Sequence, residues 1–273
     1  MMDLEPRGID AWVGEGPQYP WGGLYGGQIV AQALQAAALT VDPRYLPHSL
    51  HAYFVRRGDH RQPIRFEADR VRDGGSFVTR AVVARQSTGA ILNMSASFQV
   101  AEAAVEVQTV TLSPSLPRAE ALASEGWGEI FDRRLAPEAG RGRVDGWLRT
   151  LDKIGDDPVR QACALAYLSD DLPTEAVISL HPKHQVGESG DEVYNRFFSA
   201  SLDHAVWFHR PFDAARWLAQ SFTCHGLMGS RGLTLGHVFT EDGSHVATVT
   251  QEVLLREVRP KTRRGSPGSP ASG

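Results

Sequence analysis

Residues 24–40 read LYGGQIVAQALQAAALT. The stretch passes from a pair of glycines into a segment rich in alanine and leucine, where apolar residues recur at helical spacing: Val30, Ala33, Leu34 and Ala37. Small side chains dominate this segment, so the backbone of the helix can lie close to a neighbouring sheet. The sequence therefore predicts a helix packed closely on β-structure.

The residues that follow predict the sheet. Residues 49–56, SLHAYFVR, predict one strand, and residues 64–86 predict two strands joined at Asp73-Gly74-Gly75, a strong hairpin signal. A fourth strand is predicted over residues 90–100, and its apolar side chains share one face: Leu92, Met94, Ala96 and Phe98. A single apolar face is typical of an antiparallel sheet that is covered on one side.

The second half of the chain repeats this order. Its predicted elements are a helix over residues 157–170 and strands over 201–210, 231–240 and 244–256. Five pairs of identical residues recur at a constant separation of 154: Phe54 and Phe208, Arg56 and Arg210, Asp59 and Asp213, Ser76 and Ser230, Gly89 and Gly243. Because the pairs occur in the same order on similar strands, they predict the duplication of a whole domain rather than a short repeat.

The duplication divides the chain into four parts. We predict an N-terminal domain (1–105), a linker and connecting segment (106–150), a C-terminal domain (151–258) and a disordered tail (259–273) rich in Gly, Ser and Pro. The aromatic residues of the connecting segment predict that part of it packs on the body, and residues 174–199 are an insertion with a surface loop. The fold class is α+β, with a mainly antiparallel sheet wrapped around a helix in each repeat.

Composition limits the possible functions. The 273-residue chain has a formal net charge of −4, which provides no strong positive field for nucleic acid. Its two cysteines, Cys163 and Cys224, cannot form a disulfide framework and lack zinc-site spacing, so they predict buried thiols in a reducing compartment. Neither a secretory signal nor a membrane span is indicated. We expect a soluble cytoplasmic protein with no membrane partner.

Local sequence strings indicate a more specific fold. They span residues 22–100 and 160–256 and include GGQIVAQAL, HSLHAYFVRRGD, RDGGSFVTRAVVARQ, ASFQ, YLSDD, SLDHAVWFHRPFD, SRGLTLGHVFTEDGSHVAT and QEVLLR. In number and order they resemble the TesB-like acyl-CoA thioesterase II family. The resemblance implies a double hot-dog fold and hydrolysis of acyl-CoA to a free acid and coenzyme A. It also implies no cofactor, and a homo-oligomer, either a dimer or a tetramer.

The resemblance further implies a polar trio that positions the attacking water. The aspartate falls on Asp170 in YLSD, the hydroxyl on Ser201, and the glutamine on Gln251 in TQEV. Two departures from the family pattern, Val253 and the TCHGLMGS stretch before Arg231, concern the preferred acyl chain more than the reaction.

These residue types suit thioester hydrolysis. A carboxylate can act as general base, while a hydroxyl and an amide orient the water. The pair Gly26 and Gly27, at the start of the first helix, is a candidate source of N–H donors for the oxyanion. Without the resemblance, a surface carboxylate is the favoured interpretation of Asp170, and Ser201 and Gln251 are explained as ordinary strand residues. The glycines are explained equally well by a tight turn.

Other candidates concern substrate binding. Arg56 and Arg210, with Arg57 and Arg61 nearby, suit the phosphates of coenzyme A, although ion pairs explain them equally well. Trp207 belongs to the core or lines an acyl tunnel. Three histidines lie on strands beside aromatic residues and have no compact ligand spacing, so no metal is expected: His51, His204 and His209.

Other functions fit less well. A Ser-His-Asp hydrolase is disfavoured because no G-x-S-x-G turn occurs, and an enoyl-CoA hydratase is disfavoured because no Asp has a His five residues later. A non-catalytic acyl-CoA-binding protein remains an alternative, which turnover of a thiol-releasing substrate would exclude. The constant separation pairs Gln251 with Ser97 and Ser201 with Pro47, so the first half lacks a matching trio and one active site per chain is predicted.

Overall fold

The computed structural model of the protein describes residues 3–19, 21–127, 129–137, 140–188 and 190–258. The predicted tail, residues 259–273, lies outside the described residues. The helices of the described part are α1 (Gly26–Ala38), α2 (Pro158–Leu168), α3 (Leu172–Leu180) and α4 (Gly190–Arg196). None of them is long and apolar enough to cross a membrane.

The β-strands follow in chain order. They are β1 (Glu5–Pro6), β2 (Ala11–Gly14), β3 (Tyr45–Phe54), β4 (Ile64–Asp73), β5 (Phe77–Gln86), β6 (Gly89–Val100), β7 (Phe131–Leu135), β8 (Arg143–Thr150), β9 (Phe197–Ser201), β10 (Asp203–Phe208), β11 (Leu218–Met228), β12 (Arg231–Thr240) and β13 (His245–Glu257). They form one sheet in the order β1-β2-β4-β5-β6-β3-β10-β13-β12-β11-β8-β7, with β9 paired to β13. The strand pairs are antiparallel, as predicted.

The core lies between the sheet and the helices. The apolar faces predicted for α1 and β6 are both buried, since Leu34, Leu92 and Phe98 are 0% exposed. Burial of each such side chain stabilises the fold by roughly 1.5–3 kcal/mol. The predicted hairpin joins β4 to β5, where the N–H of Gly74 donates to the carbonyl of Phe77 over 3.0 Å.

The two halves meet along β3 and β10, which pair Leu50 with Val206 and Ala52 with His204. Helices α1 and α2 pack against each other beside this junction. The hydroxyl of Tyr25, which precedes α1, donates to the carbonyl of Tyr167 near the end of α2 over 2.9 Å. The start of α1 and the end of α2 are therefore neighbours.

The connecting segment contributes more structure than the sequence predicted. Residues 106–150 hold β7 and β8, and β8 pairs with β11, so the part of the sheet formed by the second half begins before the predicted boundary at residue 151. The reason is hydrophobic burial, because Trp147 packs with Trp217 and Phe239 in a small apolar cluster. The predicted insertion begins within α3, which buries Val177 completely.

Candidate active site

Asp170 lies in the break between α2 and α3. Helix α2 begins with Pro158 and the cap Asp157, whose carboxylate accepts the N–H of Val159, and it ends at the C-cap Ser169. Helix α3 starts only at Leu172, so two carboxylates occupy the short gap between the helices. Both are nearly buried, which excludes the surface interpretation.

The two carboxylates of the gap point to different partners. Asp171 accepts the indole N–H of Trp127 over 2.7 Å and forms an ion pair with Arg133 over 3.1 Å. Asp170 instead faces Ser201, whose hydroxyl donates to its Oδ1 over 3.0 Å. Asp171 thus anchors the connecting segment, and Asp170 is the carboxylate available for chemistry.

The three residues of the predicted trio are in contact. Gln251, in β13, donates from its Nε2 to the Oγ of Ser201 over 2.8 Å, and Ser201 donates onward to Asp170. Gln251 is 0% exposed and Ser201 ends β9 at half-buried depth. Residues distant in the chain therefore combine a carboxylate, a hydroxyl and an amide in one cluster.

The glycine pair at the start of α1 completes the cluster from the first half. The N–H of Gly27 donates to Oδ2 of Asp170 over 2.8 Å. A Cβ at Gly26 would lie 2.6 Å from the same oxygen, and one at Gly27 would lie 2.4 Å from the carbonyl oxygen of Tyr167. Only glycine permits this approach. Because Gly27 gives its N–H to Asp170, the predicted oxyanion role can apply to Gly26 alone.

Burial determines the basicity of Asp170. Loss of solvent raises its pKa from 3.8 to about 7, and this effect outweighs the hydrogen bonds from Ser201, Gln251 and Gly27, which lower the pKa. A carboxyl group that titrates near neutral pH is well matched to general-base catalysis at that pH.

Sequence analysis missed the role of His204. This imidazole is 0% exposed, and its Nδ1 lies 2.5 Å from Oε1 of Gln251, while its Nε2 lies 2.9 Å from Oγ of Ser169. Burial lowers the pKa of His204 to about 4. The alternation of SLDHAVWFHR predicts an inward-facing histidine, but its contact with Gln251 depends on the pairing of β10 with β13.

Arg56 lies near the cluster. It follows the end of β3, where the N–H of Phe54 donates to the carbonyl of Leu202, next to Ser201, over 3.0 Å. Arg56 is exposed, and its guanidinium donates to the carbonyl of Ala90. Arg57 beside it donates to a backbone carbonyl as well.

Trp207 and Arg210 lie elsewhere. Side chains alternate along β10, so Trp207 faces away from His204, and its ring contacts His51 at a centroid distance of 5.0 Å. Arg210 forms an ion pair with Glu106 of the connecting segment over 2.8 Å. The structure does not bring either residue to the trio. Trp207 lies on the opposite face of β10 from His204, and Arg210 lies beyond the end of that strand.

An aromatic cluster borders the glycine pair. Tyr25 packs edge-on against Tyr167 and Trp127, with ring centroids 4.9 and 5.0 Å apart. Tyr19 lies beside them, and its hydroxyl donates a hydrogen bond to the amide oxygen of Gln28 in α1. These rings exclude water from one side of Asp170, which is consistent with the raised pKa of its carboxyl.

The sheet register corrects one predicted correspondence. Arg80 and Thr234 correspond, since they are separated by the constant 154 residues. Arg80 pairs with Ala96 in the first half, and Thr234 pairs with Gln251 in the second. Ala96 is therefore the counterpart of Gln251, where the constant separation had indicated Ser97. The turn between β12 and β13 is longer than that between β5 and β6, which shifts the separation by one residue.

The side chain of Arg80 fills the place in the first half that corresponds to the trio in the second half. Thr40 follows the C-cap of α1 as Asp170 follows that of α2. Pro47 occupies the place of Ser201, since it pairs with Phe98 as Ser201 pairs with Val253. The guanidinium of Arg80, 1% exposed, donates to the hydroxyl of Thr40 over 2.6 Å and to its carbonyl over 3.2 Å. A carboxylate, a hydroxyl and an amide are thus all replaced at this position.

The described part of the chain contains no group of three or more His, Cys, Asp or Glu side chains arranged to hold a metal ion.

Comparisons with known proteins identify the family. Models of the acyl-CoA thioesterase N-terminal domain and C-terminal domain match residues 16–99 and 104–255. The chain is 32% identical to acyl-CoA thioesterase 2 of Haemophilus influenzae, over 85% of this chain and 87% of that protein. It is also 32% identical to human acyl-coenzyme A thioesterase 8, over 96% of this chain and 89% of that one.

Solved structures agree with the fold. The acyl-CoA thioesterase II TesB2 of Mycobacterium marinum is 37% identical, with a TM-score of 0.80, over 96% of this chain and 97% of that chain. A TesB protein of Mycobacterium avium subspecies paratuberculosis is 34% identical, with the same TM-score of 0.80, over 93% and 96%. The predicted α+β double hot-dog fold is confirmed, and the chain belongs to the TesB-like acyl-CoA thioesterase II family, the hydrolases of acyl-CoA thioesters.

Proposed function

We propose that the chain hydrolyses acyl-CoA by direct attack of a water molecule held by Asp170, Ser201 and Gln251, with no covalent acyl-enzyme. The observation that carries this proposal is the contact of all three side chains around a buried carboxylate whose pKa is about 7. Each carboxylate oxygen can accept more than one hydrogen bond, so Asp170 keeps acceptor capacity for a water.

The proposed reaction needs one proton carrier. Asp170 accepts a proton from the water as its oxygen bonds to the thioester carbon. The tetrahedral intermediate then collapses, the carbon–sulfur bond breaks, and the protonated Asp170 returns the proton to the departing thiolate of coenzyme A. The amide of Gln251 donates to Ser201 and also to Asp170, so it fixes the orientation of both groups that would contact the water.

The surroundings of Ser201 argue against a covalent mechanism. An activated serine usually donates its hydrogen to an imidazole. The hydrogen of Ser201 is directed to Asp170, and the nearby imidazole of His204 contacts Gln251 and Ser169 instead. Ser201 is therefore better placed to orient a water than to attack the substrate.

Arg56 and Arg57 are the residues that we propose for the phosphates of coenzyme A. Both are exposed just beyond the end of β3, where Phe54 contacts Leu202, the residue after Ser201. Each donates to a backbone carbonyl, so the hydrogen bond does not neutralise its positive charge. The expected homo-oligomer and the cytoplasmic location stay predictions.

Rapid-quench kinetics test the absence of an acyl-enzyme. We expect thiol release without a burst and no acyl adduct in the intact mass. Ser201→Ala should keep residual activity, with its acid limb moved to higher pH because Asp170 loses the hydrogen bond from Ser201. Ser199→Ala, on the same strand, is the matched control and should behave as the parent. A stoichiometric thiol burst with an adduct on Ser201 would refute the proposal.

A further inference from the structure

His204 is hydrogen-bonded to Gln251 and contacts no other member of the trio. Its ring is 0% exposed, with Nδ1 on the amide oxygen of Gln251 and Nε2 on the hydroxyl of Ser169. An amide oxygen only accepts hydrogen bonds, so Nδ1 must carry the proton. Because the ring is neutral, Nε2 then accepts from Ser169.

This contact fixes the direction of every hydrogen bond in the cluster. Once Oε1 of Gln251 accepts from His204, its Nε2 must face Ser201. The oxygen of Ser201 then accepts from Gln251, so its single hydrogen is available only for Asp170. The order of donors runs from Ser169 to Asp170. The hydroxyl of Ser169 also lies 3.4 Å from the carbonyl of Ala166, but its 2.9 Å contact with Nε2 of His204 is the shorter one.

We infer that His204 is a positioning residue for thioester hydrolysis, which holds the amide of Gln251, and through it the hydroxyl of Ser201, in the orientation that the water requires. The inference rests on the proposed function of the trio. Without the Nδ1 donor, the amide of Gln251 is free to turn over. Its oxygen would then face Ser201 and draw the hydroxyl hydrogen away from Asp170.

The first half of the chain shows what the position holds when no trio is present. Leu50 stands in β3 where His204 stands in β10, and it is also 0% exposed. Its sheet neighbour is Ala96, the counterpart of Gln251. A leucine therefore fits this place in the fold, and the histidine accompanies the glutamine rather than the core.

Three substitutions at His204 separate positioning from packing. His204→Asn places an amide nitrogen where Nδ1 stands, His204→Gln places one nearer to Nε2, and His204→Leu removes both donors. We expect kcat to fall by roughly tenfold or more in the Leu and Gln variants, with KM changed less than about threefold, and to be largely retained in the Asn variant. His209→Leu, an exposed histidine, is the control.

The pH profile and a double-mutant cycle complete the test. In His204→Leu, the acid limb of the kcat profile should move to higher pH, because Asp170 loses a hydrogen bond that favours its charged form. In a Gln251→Ala background, His204→Leu should have almost no further effect on kcat. The nitrogen-15 shifts of the parental ring should show a neutral imidazole protonated at Nδ1.

The outcomes distinguish a failure of the proposed trio from a failure of the positioning role of His204. If Gln251→Ala retains parental activity, the proposed trio itself is wrong. If Gln251→Ala is impaired while folded His204→Leu keeps the parental kcat and pH profile, the trio stands and the positioning role is refuted. Additive losses in the double variant, or equal activity of the Asn and Gln variants, would also overturn that role.

Discussion

Asp170→Asn separates two consequences of burying this carboxylate, its basicity and its effect on stability. The substitution preserves the size of the side chain and removes the charge. General-base assistance contributes roughly 10²–10⁴-fold to a rate, so we expect kcat to fall within that range. Binding of acyl-CoA should change little, because the proposed phosphate contacts lie at Arg56 and Arg57.

The same substitution should change how stability depends on pH. The pKa of Asp170 is about 7 in the fold, above its ordinary 3.8. Between these values the folded state binds more protons than the unfolded state, so its stability falls as pH rises and levels off above about 7. From pH 5 to 8 the free energy of unfolding should fall by roughly 2–3 kcal/mol more in the parent than in the variant.

Urea unfolding at pH 5 and 8, together with steady-state kinetics, measures both effects. Asp171→Asn is the control, since it breaks the largely buried pair with Arg133. It should destabilise the fold at both pH values by an amount on the order of 3–5 kcal/mol. Parental hydrolysis by Asp170→Asn would refute the base, and identical pH dependence of unfolding in parent and variant would refute the raised pKa.

Other predictions concern the surroundings of the site. Gly27→Ala should lower both kcat and Tm because its Cβ would lie 2.4 Å from the carbonyl oxygen of Tyr167; an unchanged Tm would contradict this. Arg56→Gln should raise KM for acyl-CoA more than about threefold at low salt, but not for an acyl-pantetheine lacking the nucleotide; equal effects on both substrates would exclude a phosphate contact. Arg80→Met should cost roughly 2–4 kcal/mol of unfolding free energy in urea titrations, because it leaves buried acceptors at Thr40 unpaired. Titration with a non-hydrolysable acyl-CoA analogue should give one site per chain, and two equivalent sites would refute the closed first half.

The duplication predicts much of the fold, including one strand that the local sequence pattern did not indicate. Strand β11 escaped prediction, yet a shift of 154 from β4 places a strand where β11 begins. The constant separation does not hold at one point, for a physical reason. A single extra residue in the turn before β13 changes which face each later side chain occupies, so the counterpart of Gln251 was displaced by one position.

The site was predictable only in part. Asp170, Ser201 and Gln251 came from the family resemblance, and their contact follows from the fold. His204 could not be assigned from the sequence, because its role depends on a partner 47 residues away in the chain and on hydrogen-bond direction. The sequence left Trp207 open between the core and an acyl tunnel, because an aromatic residue on a strand can face either side of the sheet.

The asymmetry between the halves follows from how the two helices meet. One junction joins the start of α1 to the end of α2, and there a glycine N–H reaches a buried carboxylate. At the start of α2, Pro158 has no N–H and the N–H of Val159 is bonded to Asp157, while Arg80 fills the end of α1 with hydrogen bonds. A carboxylate with a raised pKa destabilises the fold above neutral pH, so a second copy would double that cost. Closing one junction stabilises the scaffold and leaves the other free to retain the reactive group.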